Sequence, residues 1–480
     1  MRLSHVIFKN FLFLSLAEIV AKFIGFFIVL FLARVLGPEV FGKINFGQAL
    51  LIYFAVFANL GLDTFITREF AADREKIEGQ LGNLFLLRIF LGIIGFIFAV
   101  FFVVFSHFPL ETKSIIIIYC FSLFSLVLLM EGVFQGIEKM EFIAFARIVT
   151  QIIFLLLLFC FVKQPGDGFM VPIIFFVCSV LNMLFLFYFY QKYVARIIFK
   201  IDVGLWKNFI KKAFPIGFSF IMAQVFINID YIMLGFMRNI SELGYYSSAY
   251  KIVYFLILFL GTYATAIFPV ITKFYNESND RLIWLLSFSI KSSAAMVVPI
   301  LIGGTILARP IIILLFGEMY LPGVASFQIL LWAVLIIYIN TIYSRSLLAF
   351  GKDKMFLWGV SVPAVLNIIL NLFFIPKWGI EGAALATVLA ELCGFMVIYS
   401  LFSSIIRIRF AHYFVKPLVA GSCMGIFLFL LSGWNMFLLI FLAGLIYLGV
   451  LFSIGGIAKE EFKAFSMLFA GAKFNDKLFN

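Results

Sequence analysis

The sequence predicts an all-α integral membrane protein with about fourteen transmembrane helices. Of its 480 residues, 64% are hydrophobic and only 12% are charged, whereas soluble domains are about 45–50% apolar and about 25% charged. The apolar runs are long enough to cross a bilayer as helices, which need about 20 residues. They are apolar on every face, unlike the alternating strands of about ten residues that build a membrane β-barrel.

The apolar runs follow one another with short polar segments between them, and no polar stretch is long enough for a separate domain. The first run carries Glu18 and Lys22, exceeds the length of a signal-peptide core and has no small-residue cleavage site after it, so we expect it to remain as helix 1. The predicted helices cover residues 9–34, 41–67, 82–106, 112–137, 141–162, 170–192, 209–237, 243–273, 281–308, 324–349, 355–375, 380–402, 413–432 and 434–458.

The distribution of Lys and Arg predicts the orientation of these helices. With the N-terminus inside, 24 of the 36 Lys and Arg residues fall in cytoplasmic segments, 7 in outer loops and 5 within helices. Positive charge concentrates on the cytoplasmic side, so both termini are predicted to be cytoplasmic, in a cytoplasmic (inner) membrane. The net charge of +12 therefore does not indicate nucleic-acid binding. The densest cluster is expected to rest on anionic membrane lipids and comprises Lys192, Arg196, Lys200, Lys207, Lys211 and Lys212.

That basic segment also divides an internal repeat. Residues at corresponding helix junctions match, as Phe41-Gly42 with Leu243-Gly244, and as Gly136, Lys139 and Met140 with Gly351, Lys354 and Met355 at an offset of 215. Both halves begin inside, so the repeat is parallel, and such repeats place transport sites at their interface. We predict an N-lobe of six helices over 1–193, a basic cytoplasmic linker over 194–208, a C-lobe of six helices over 209–403, and helices 13 and 14 with a cytoplasmic tail over 404–480.

The motifs of enzymatic chemistry are missing from the sequence. The pairs Gly42-Lys43 and Gly351-Lys352 are followed by Ile and Asp, where a P-loop requires Ser or Thr. The histidines lie at helix ends or in loops, and no Ser-His-Asp or HExxH pattern is present. The five cysteines form no CxxC pair and are expected to fill apolar positions inside helices. We therefore predict a protein that is not an enzyme and has no cofactor.

Ionisable residues inside the membrane are the most informative feature. A Lys, Arg or Asp at a helix centre costs about 2.5–3.5 kcal/mol on insertion, and such residues usually face a polar cavity and mark a pathway. Lys22 on helix 1 has Glu18 one turn earlier, so it either forms a structural pair or faces a cavity. Lys251 on helix 8 and Lys291 on helix 9 are further substrate-binding candidates. Arg88, near the cytoplasmic end of helix 3, is a candidate too, although snorkelling to the interface is its expected role.

Two sets of polar side chains are further candidates. Along helix 2, four of them fall within an arc of about 60° and form either a cavity wall or a helix–helix contact, namely Asn45, Gln48, Asn59 and Asp63. Oxygen-bearing side chains on helices 7, 11 and 12 suit a hard cation such as Na⁺ if they converge, and otherwise bond between helices, namely Asp230, Asn367, Asn371 and Thr387. Glu131, Gln135 and Glu391 are also intramembrane and have no assigned role.

The order and spacing of several motifs resemble a known family. LARVLGPEVFG from residue 32, NLGLDTFITREFA from residue 59, FQGIEKM from residue 134 and FPIGFS after the basic segment resemble the polysaccharide transporter branch of the multidrug/oligosaccharidyl-lipid/polysaccharide flippase superfamily. That branch includes the O-antigen and other lipid-linked oligosaccharide flippases, and the resemblance covers essentially the whole chain. It implies two six-helix lobes around a cavity that opens alternately to each side. It also implies a polyprenyl-diphosphate-linked glycan as cargo.

The resemblance also implies roles for individual residues. Lys22 and Lys251 match positions where the related lipid II flippases place cavity arginines, so we expect them to contact the diphosphate as point charges. The sodium site of those relatives has the ligand spacing that is found here in Asp230, Asn367, Asn371 and Thr387. Asn371 stands where a carboxylate is expected, which weakens Na⁺ binding or shifts the coupling to H⁺.

Three functions remain open on the sequence. The leading hypothesis is a flippase that moves a polyprenyl-diphosphate oligosaccharide from the inner to the outer leaflet, with a polysaccharide polymerase as a candidate partner. The second is a multidrug/cation antiporter of the same superfamily, which would favour an acid where Lys22 stands. The third is a non-transporting membrane scaffold for polysaccharide assembly.

Overall fold

The computed structural model is all-α in the part of the chain that it describes, residues 2–73, 78–194, 197, 199, 201–431 and 433–456. That part contains fifteen α-helices and two 3-10 turns, and no strand. Only the backbone is described for residues 2–19, 216, 219, 220, 223, 225, 259, 262 and 266. The all-α membrane fold is thereby confirmed.

The chain forms two compact units, Met1–Ser247 and Ser248–Asn480. The first unit contains α1 (Arg2–Asn59), α2 (Leu62–Ala72), α3 (Leu81–Phe105), α4 (Leu110–Val127), α5 (Glu131–Gly136), α6 (Met140–Phe161), a 3-10 turn (Pro165–Phe169), α7 (Met170–Tyr193), α8 (Val203–Met237) and the start of α9 (Ile240–Glu277). The second contains the rest of α9, then α10 (Asn279–Ile306), α11 (Ala308–Phe316), a 3-10 turn (Glu318–Gly323), α12 (Val324–Ala349), α13 (Asp353–Ser403), α14 (His412–Leu430) and α15 (Met436–Ser453). The predicted lobe and linker boundaries stay predictions, and Arg196 and Lys200 of the basic cluster lie outside the described residues.

Two of the long helices each contain a sharp turn at one glycine. Gly37 has φ 73° and ψ 171°, so it separates two helical halves of α1. Gly379, with φ 53° and ψ −127°, does the same in α13. Positive φ is a conformation that glycine adopts without the penalty of a Cβ atom. These turns fall in the gaps that the sequence predicts between helices 1 and 2 and between helices 11 and 12.

Eleven helices among the described residues are long and apolar enough to cross a membrane. Two of these eleven are the spans divided by Gly37 and Gly379, and α8 contributes a further apolar segment, Phe226–Met237. The chain is therefore a multi-pass membrane protein. The count of fourteen depends on how the long helices are divided, and it stays a prediction.

Two predicted helices are interrupted in the structure, so their predicted continuity is wrong. The helix expected over 41–67 ends at Asn59, and α2 begins at Leu62. The helix expected over 112–137 ends at Val127 and resumes as α5 at Glu131. The structure also adds α11, a nine-residue helix in the segment that was predicted as a loop between helices 9 and 10.

Apolar side chains fill the interior of each unit. In the first, a core between α2, α3, α5, α6, α7 and α8 includes Phe65, Phe85 and Phe134. In the second, one core joins α9, α10, α12 and α13, and another joins α10 to α14 and α15. Large apolar side chains also cover the outside, as at Phe98 and Phe441, which suits a surface that faces lipid.

Candidate functional site

The break between α1 and α2 brings polar side chains into the interior of the first unit. Leu60 has φ 47° and Gly61 has φ 81°, so the chain turns sharply before α2 starts. The Asp63 backbone N–H donates to Asn59 Oδ1 at 3.1 Å, and Asn59 Nδ2 donates to Asp63 Oδ2. Asn59 therefore satisfies a backbone donor at the start of α2, as a capping residue does.

Arg88 of α3 joins this break to the break between α4 and α5. Its side chain is 0% exposed, and Nη1 lies 2.8 Å from Asp63 Oδ1. The same nitrogen donates to the carbonyl oxygen of Leu129 at 3.2 Å. Nε and Nη2 have no hydrogen-bond partner among the described atoms. The expectation that Arg88 snorkels to the interface is therefore wrong, because the guanidinium is fully buried and paired with a carboxylate.

A second ion pair and the polar contacts of Thr67 lie at the break between α4 and α5. Arg147 Nη2 donates to both carboxylate oxygens of Glu131, at 2.9 and 2.8 Å. Thr67 Oγ1 lies 3.1 Å from the Gly132 carbonyl oxygen and 3.4 Å from Gln135 Oε1. The sequence assigned no role to Glu131 and Gln135. In the structure, Glu131 pairs with Arg147 and Gln135 lies beside Thr67 at the α4–α5 break.

Three of the four polar residues of predicted helix 2 lie in α1, and Asp63 lies beyond the break in α2. Asn59 and Asp63 join Arg88 at the break, whereas Asn45 is buried and donates to the Phe41 carbonyl oxygen of its own helix at 2.8 Å. Gln48 is partly exposed. The predicted arc assumed a continuous helix, and the turn at Leu60 and Gly61 removes only Asp63 from the helix that carries the other three.

Lys22 and Asp230 are further candidates in the first unit. Lys22 is partly exposed in the first half of α1, and its predicted partner Glu18 lies outside the described side chains. Asp230 of α8 is buried, and the Tyr246 hydroxyl donates to its Oδ2 at 2.6 Å.

The other three predicted ion ligands lie in α13 of the second unit, whose halves form a helical hairpin. A Cβ atom on Gly382 would contact the Phe374 carbonyl oxygen, and one on Gly394 would lie 3.0 Å from the Pro363 side chain. A Cβ atom on Gly359 would contact Ile398. Since residues 359, 363 and 374 face residues 398, 394 and 382, the two halves run antiparallel in close contact.

This register places Asn371 level with Thr387 across the hairpin. Asn371 Nδ2 donates to Asn367 Oδ1 at 3.1 Å, and Thr387 Oγ1 donates to the Ala383 carbonyl oxygen at 3.0 Å. All three ligand candidates are buried. The structure therefore brings these amide and hydroxyl oxygens to neighbouring levels of one hairpin.

Glu391 is a further carboxylate of this hairpin, to which the sequence assigned no role. It follows Thr387 by one helical turn, which places the two side chains on one face of the second half of α13. The register puts Glu391 level with Asn367. Glu391 thus places a carboxylate close to the level of Asn371, where the family resemblance implies one. Its four-residue spacing from Thr387 is the feature of the sequence that could have revealed it.

The remaining lysine candidates lie in the second unit. Lys251 is partly exposed in α9, and Lys291 of α10 lines a cavity together with residues of α14. No group of three or more His, Cys, Asp or Glu side chains that could hold a metal occurs within the described ranges.

Long apolar helices with buried ion pairs and amides in their spans define a multi-pass membrane protein with a polar interior. The chain belongs to the family of polysaccharide biosynthesis proteins, whose family model matches residues 7–275. The family resemblance seen in the sequence is thereby confirmed.

Similar proteins agree with this family. Over 186 residues the chain is 27% identical to the probable low-salt glycan biosynthesis flippase Agl15 of Haloferax volcanii, covering 38% of this chain and 39% of that relative. Over 415 residues it is 21% identical to the capsular polysaccharide biosynthesis protein CapF of Staphylococcus aureus, covering 83% and 99%. The solved structure of the lipid II flippase MurJ in an inward closed conformation superposes with a TM-score of 0.76 at 18% identity, covering 95% and 98%.

Proposed function

We propose that the chain is a flippase that moves a polyprenyl-diphosphate-linked oligosaccharide, such as an O-antigen repeat unit, from the cytoplasmic to the outer leaflet by alternating access. One observation carries the proposal. In a chain of this family, Lys22 and Lys251 each lie within a membrane-spanning helix, one in each unit, and each is partly exposed. A diphosphate crossing the membrane needs cations along its path, and intramembrane lysines usually mark such a path.

Arg88 has a different role in this proposal. Its guanidinium is fully buried and paired with Asp63, so it supports the helix breaks and does not contact the cargo. Lys22 and Lys251 act as point charges on flexible stems, which can follow a diphosphate as it moves. The polyprenyl tail stays in lipid, where its transfer costs nothing.

The experiment is glycan flipping in reconstituted proteoliposomes, with a fluorescent polyprenyl-diphosphate oligosaccharide as cargo. We expect Lys22→Ala and Lys251→Ala each to reduce flipping at least tenfold, and Lys22→Arg and Lys251→Arg to retain most of it. Lys354→Ala removes an exposed lysine in the first turn of α13 and serves as the matched control. Normal flipping by the Lys22→Ala, Lys251→Ala double variant, at equal folded protein, would refute the diphosphate contact.

We further propose that α13 holds the coupling ion, Na⁺ or H⁺, with Glu391 as its carboxylate and the oxygens of Asn367, Asn371 and Thr387 beside it. The register of the hairpin supports this set, because it brings the four residues to neighbouring levels. A single carboxylate suits a monovalent cation or a proton. The participation of Asp230 stays a prediction, because this residue belongs to the other unit.

A charge exchange tests the ion proposal. Flipping is measured with Na⁺ replaced by K⁺ at fixed pH, and then across pH at fixed Na⁺. We expect Glu391→Gln to abolish the response to whichever ion drives the wild-type protein. Adding Asn371→Asp restores a carboxylate at the neighbouring level and should recover the response. An unchanged ion response in Glu391→Gln would remove Glu391 from the site.

A further inference from the structure

A cavity of about 350 Å³ opens between α10 and α14 in the second unit. It lies within the range of about 300–1,000 Å³ that is typical of small-ligand sites. Trp284 and Phe288 line it from α10, and their rings stack with centroids 5.6 Å apart and planes 8° apart. His412 and Tyr413, at the start of α14, line the other side.

Two lysines give this cavity its charge. Lys291 lies on the α10 wall, two helical turns after Trp284, and Lys416 lies on the α14 wall. Lys416 Nζ also donates to the Gly455 carbonyl oxygen at 2.9 Å, which holds its ammonium beside the end of α15. The described residues that line the cavity include neither Asp nor Glu. The two lysines therefore place positive charge on both walls of the cavity.

The position of the aromatic residues locates the cavity along the membrane normal. The 28 residues of α10 make a helix about 42 Å long, which spans both the hydrocarbon core and the headgroup regions. Trp284 lies about 8 Å from the start of that helix, the depth at which Trp and Tyr form interfacial belts. Lys291 lies deeper, but side chains on a helix lean toward its N-terminus, which brings the ammonium back toward the headgroups.

We propose that this cavity binds the phosphate headgroup of an anionic phospholipid, with Lys291 and Lys416 as the two cations that contact it. Basic pockets between transmembrane helices on the cytoplasmic side bind anionic lipid headgroups, and the predicted topology places this end of α10 and α14 on that side. The apolar rings of Trp284 and Phe288 suit the glycerol and upper acyl chains of the lipid. This role differs from the cargo contact that the sequence suggested for Lys291.

The site is separate from the proposed flipping path, so the two can fail independently. The lipid stays in its own leaflet and binds whether or not cargo moves. Binding is measured by native mass spectrometry of the full chain in detergent, titrated with phosphatidylglycerol and, in parallel, with phosphatidylcholine. We expect the wild-type protein to retain phosphatidylglycerol preferentially. We expect Lys291→Gln, Lys416→Gln to weaken this binding about tenfold or more, the combined effect of two lysines near a headgroup.

Two variants control for charge and folding. Lys352→Gln, Lys354→Gln removes the same charge from exposed positions outside the cavity and should leave the affinity within twofold of wild type. Lys291→Arg, Lys416→Arg keeps both cations and should retain binding. Equal phosphatidylglycerol affinity in the Gln variant and its matched control would overturn the proposal. Displacement of the lipid by millimolar inorganic phosphate would assign the cavity to a free anion and would also overturn it.

Discussion

The polar interiors of the two units are built from different chemistry. In the first unit, the described interior contains ion pairs, with Arg88 on Asp63 and Arg147 on Glu131, and both stand where a transmembrane helix is broken. In the second unit, α13 contains neighbouring amides and a hydroxyl inside two regular helical halves. A buried charge inside a membrane is usually paired, and these two pairs are held at the backbone breaks. Amides bind more weakly and leave oxygens that can exchange partners, which suits a site that loads and releases an ion.

One turn is nevertheless shared by both units. After α5, the Glu138 N–H donates to the Gln135 carbonyl oxygen and the Lys139 N–H to that of Phe134. After α12, the Gly351 and Lys352 N–H groups make the same two bonds, to Leu348 and Leu347. Both turns are Schellman motifs, with Glu138 at φ 58° and Gly351 at φ 68° in the left-handed position.

The shared turn shifts the correspondence between the units by two residues. The sequence repeat aligned Gly136 with Gly351, whereas the turns align Glu138 with Gly351, an offset of 213. The same backbone geometry therefore uses glycine in the second unit and a strained glutamate in the first. The backbone conformation aligns the two turns more reliably than the matching glycines do, because glycine occurs at several positions of a turn.

The largest effect is expected from breaking a charge pair of the first unit. Asp63→Asn leaves the fully buried guanidinium of Arg88 without its carboxylate, so we expect a loss of about 3–5 kcal/mol in the free energy of unfolding. The measurement is denaturant or thermal unfolding in detergent micelles. The double variant Asp63→Asn, Arg88→Leu removes both charges and should lose clearly less. Equal losses in the single and double variants would show that the charge pairing is not what stabilises the break.

An intermediate effect is expected from exchanging the residues of the shared turn. Glu138→Gly should stabilise the protein by about 1–2 kcal/mol, because a non-glycine residue pays that penalty in the left-handed region. Gly351→Ala should destabilise it by a similar amount. A Cβ atom on Gly351 meets no atom within 4 Å, so its cost is conformational and not steric. Changes of equal sign in the two variants would contradict the correspondence, and unfolding midpoints decide it.

The smallest effect is expected from the amides of the second unit. Asn371→Leu removes the bond to Asn367, one turn earlier on the same helical half of α13, and side-chain pairs four residues apart on a helix contribute about 0.2–0.5 kcal/mol. We expect a loss within that range, measured as above, together with a change in the ion response of flipping. A loss as large as that of Asp63→Asn would show that the amides also serve as a structural frame.

Hydropathy predicted most helices because lipid exposure requires long apolar runs. The helix predicted over 324–349 matches α12, Val324–Ala349, and the glycines of the two sharp turns fall in predicted gaps. The breaks at Leu60 and at residues 128–130 were missed because apolar residues fill them and tertiary contacts stabilise them. The Asp63–Arg88 pair was missed for the same reason, since it joins helices that no local pattern connects. Glu391 was visible in the sequence, but only the register of the hairpin placed it level with Asn367.

The turn at Gly379 has a consequence for how the protein is made. The two halves of α13 meet through residues close in sequence, from Phe374 against Gly382 out to Gly359 against Ile398. Contacts of low sequence separation form quickly, so this hairpin can pair as soon as residue 403 has left the ribosome. The candidate ligand oxygens of α13 are then in register during synthesis, before α14 and α15 reach the membrane.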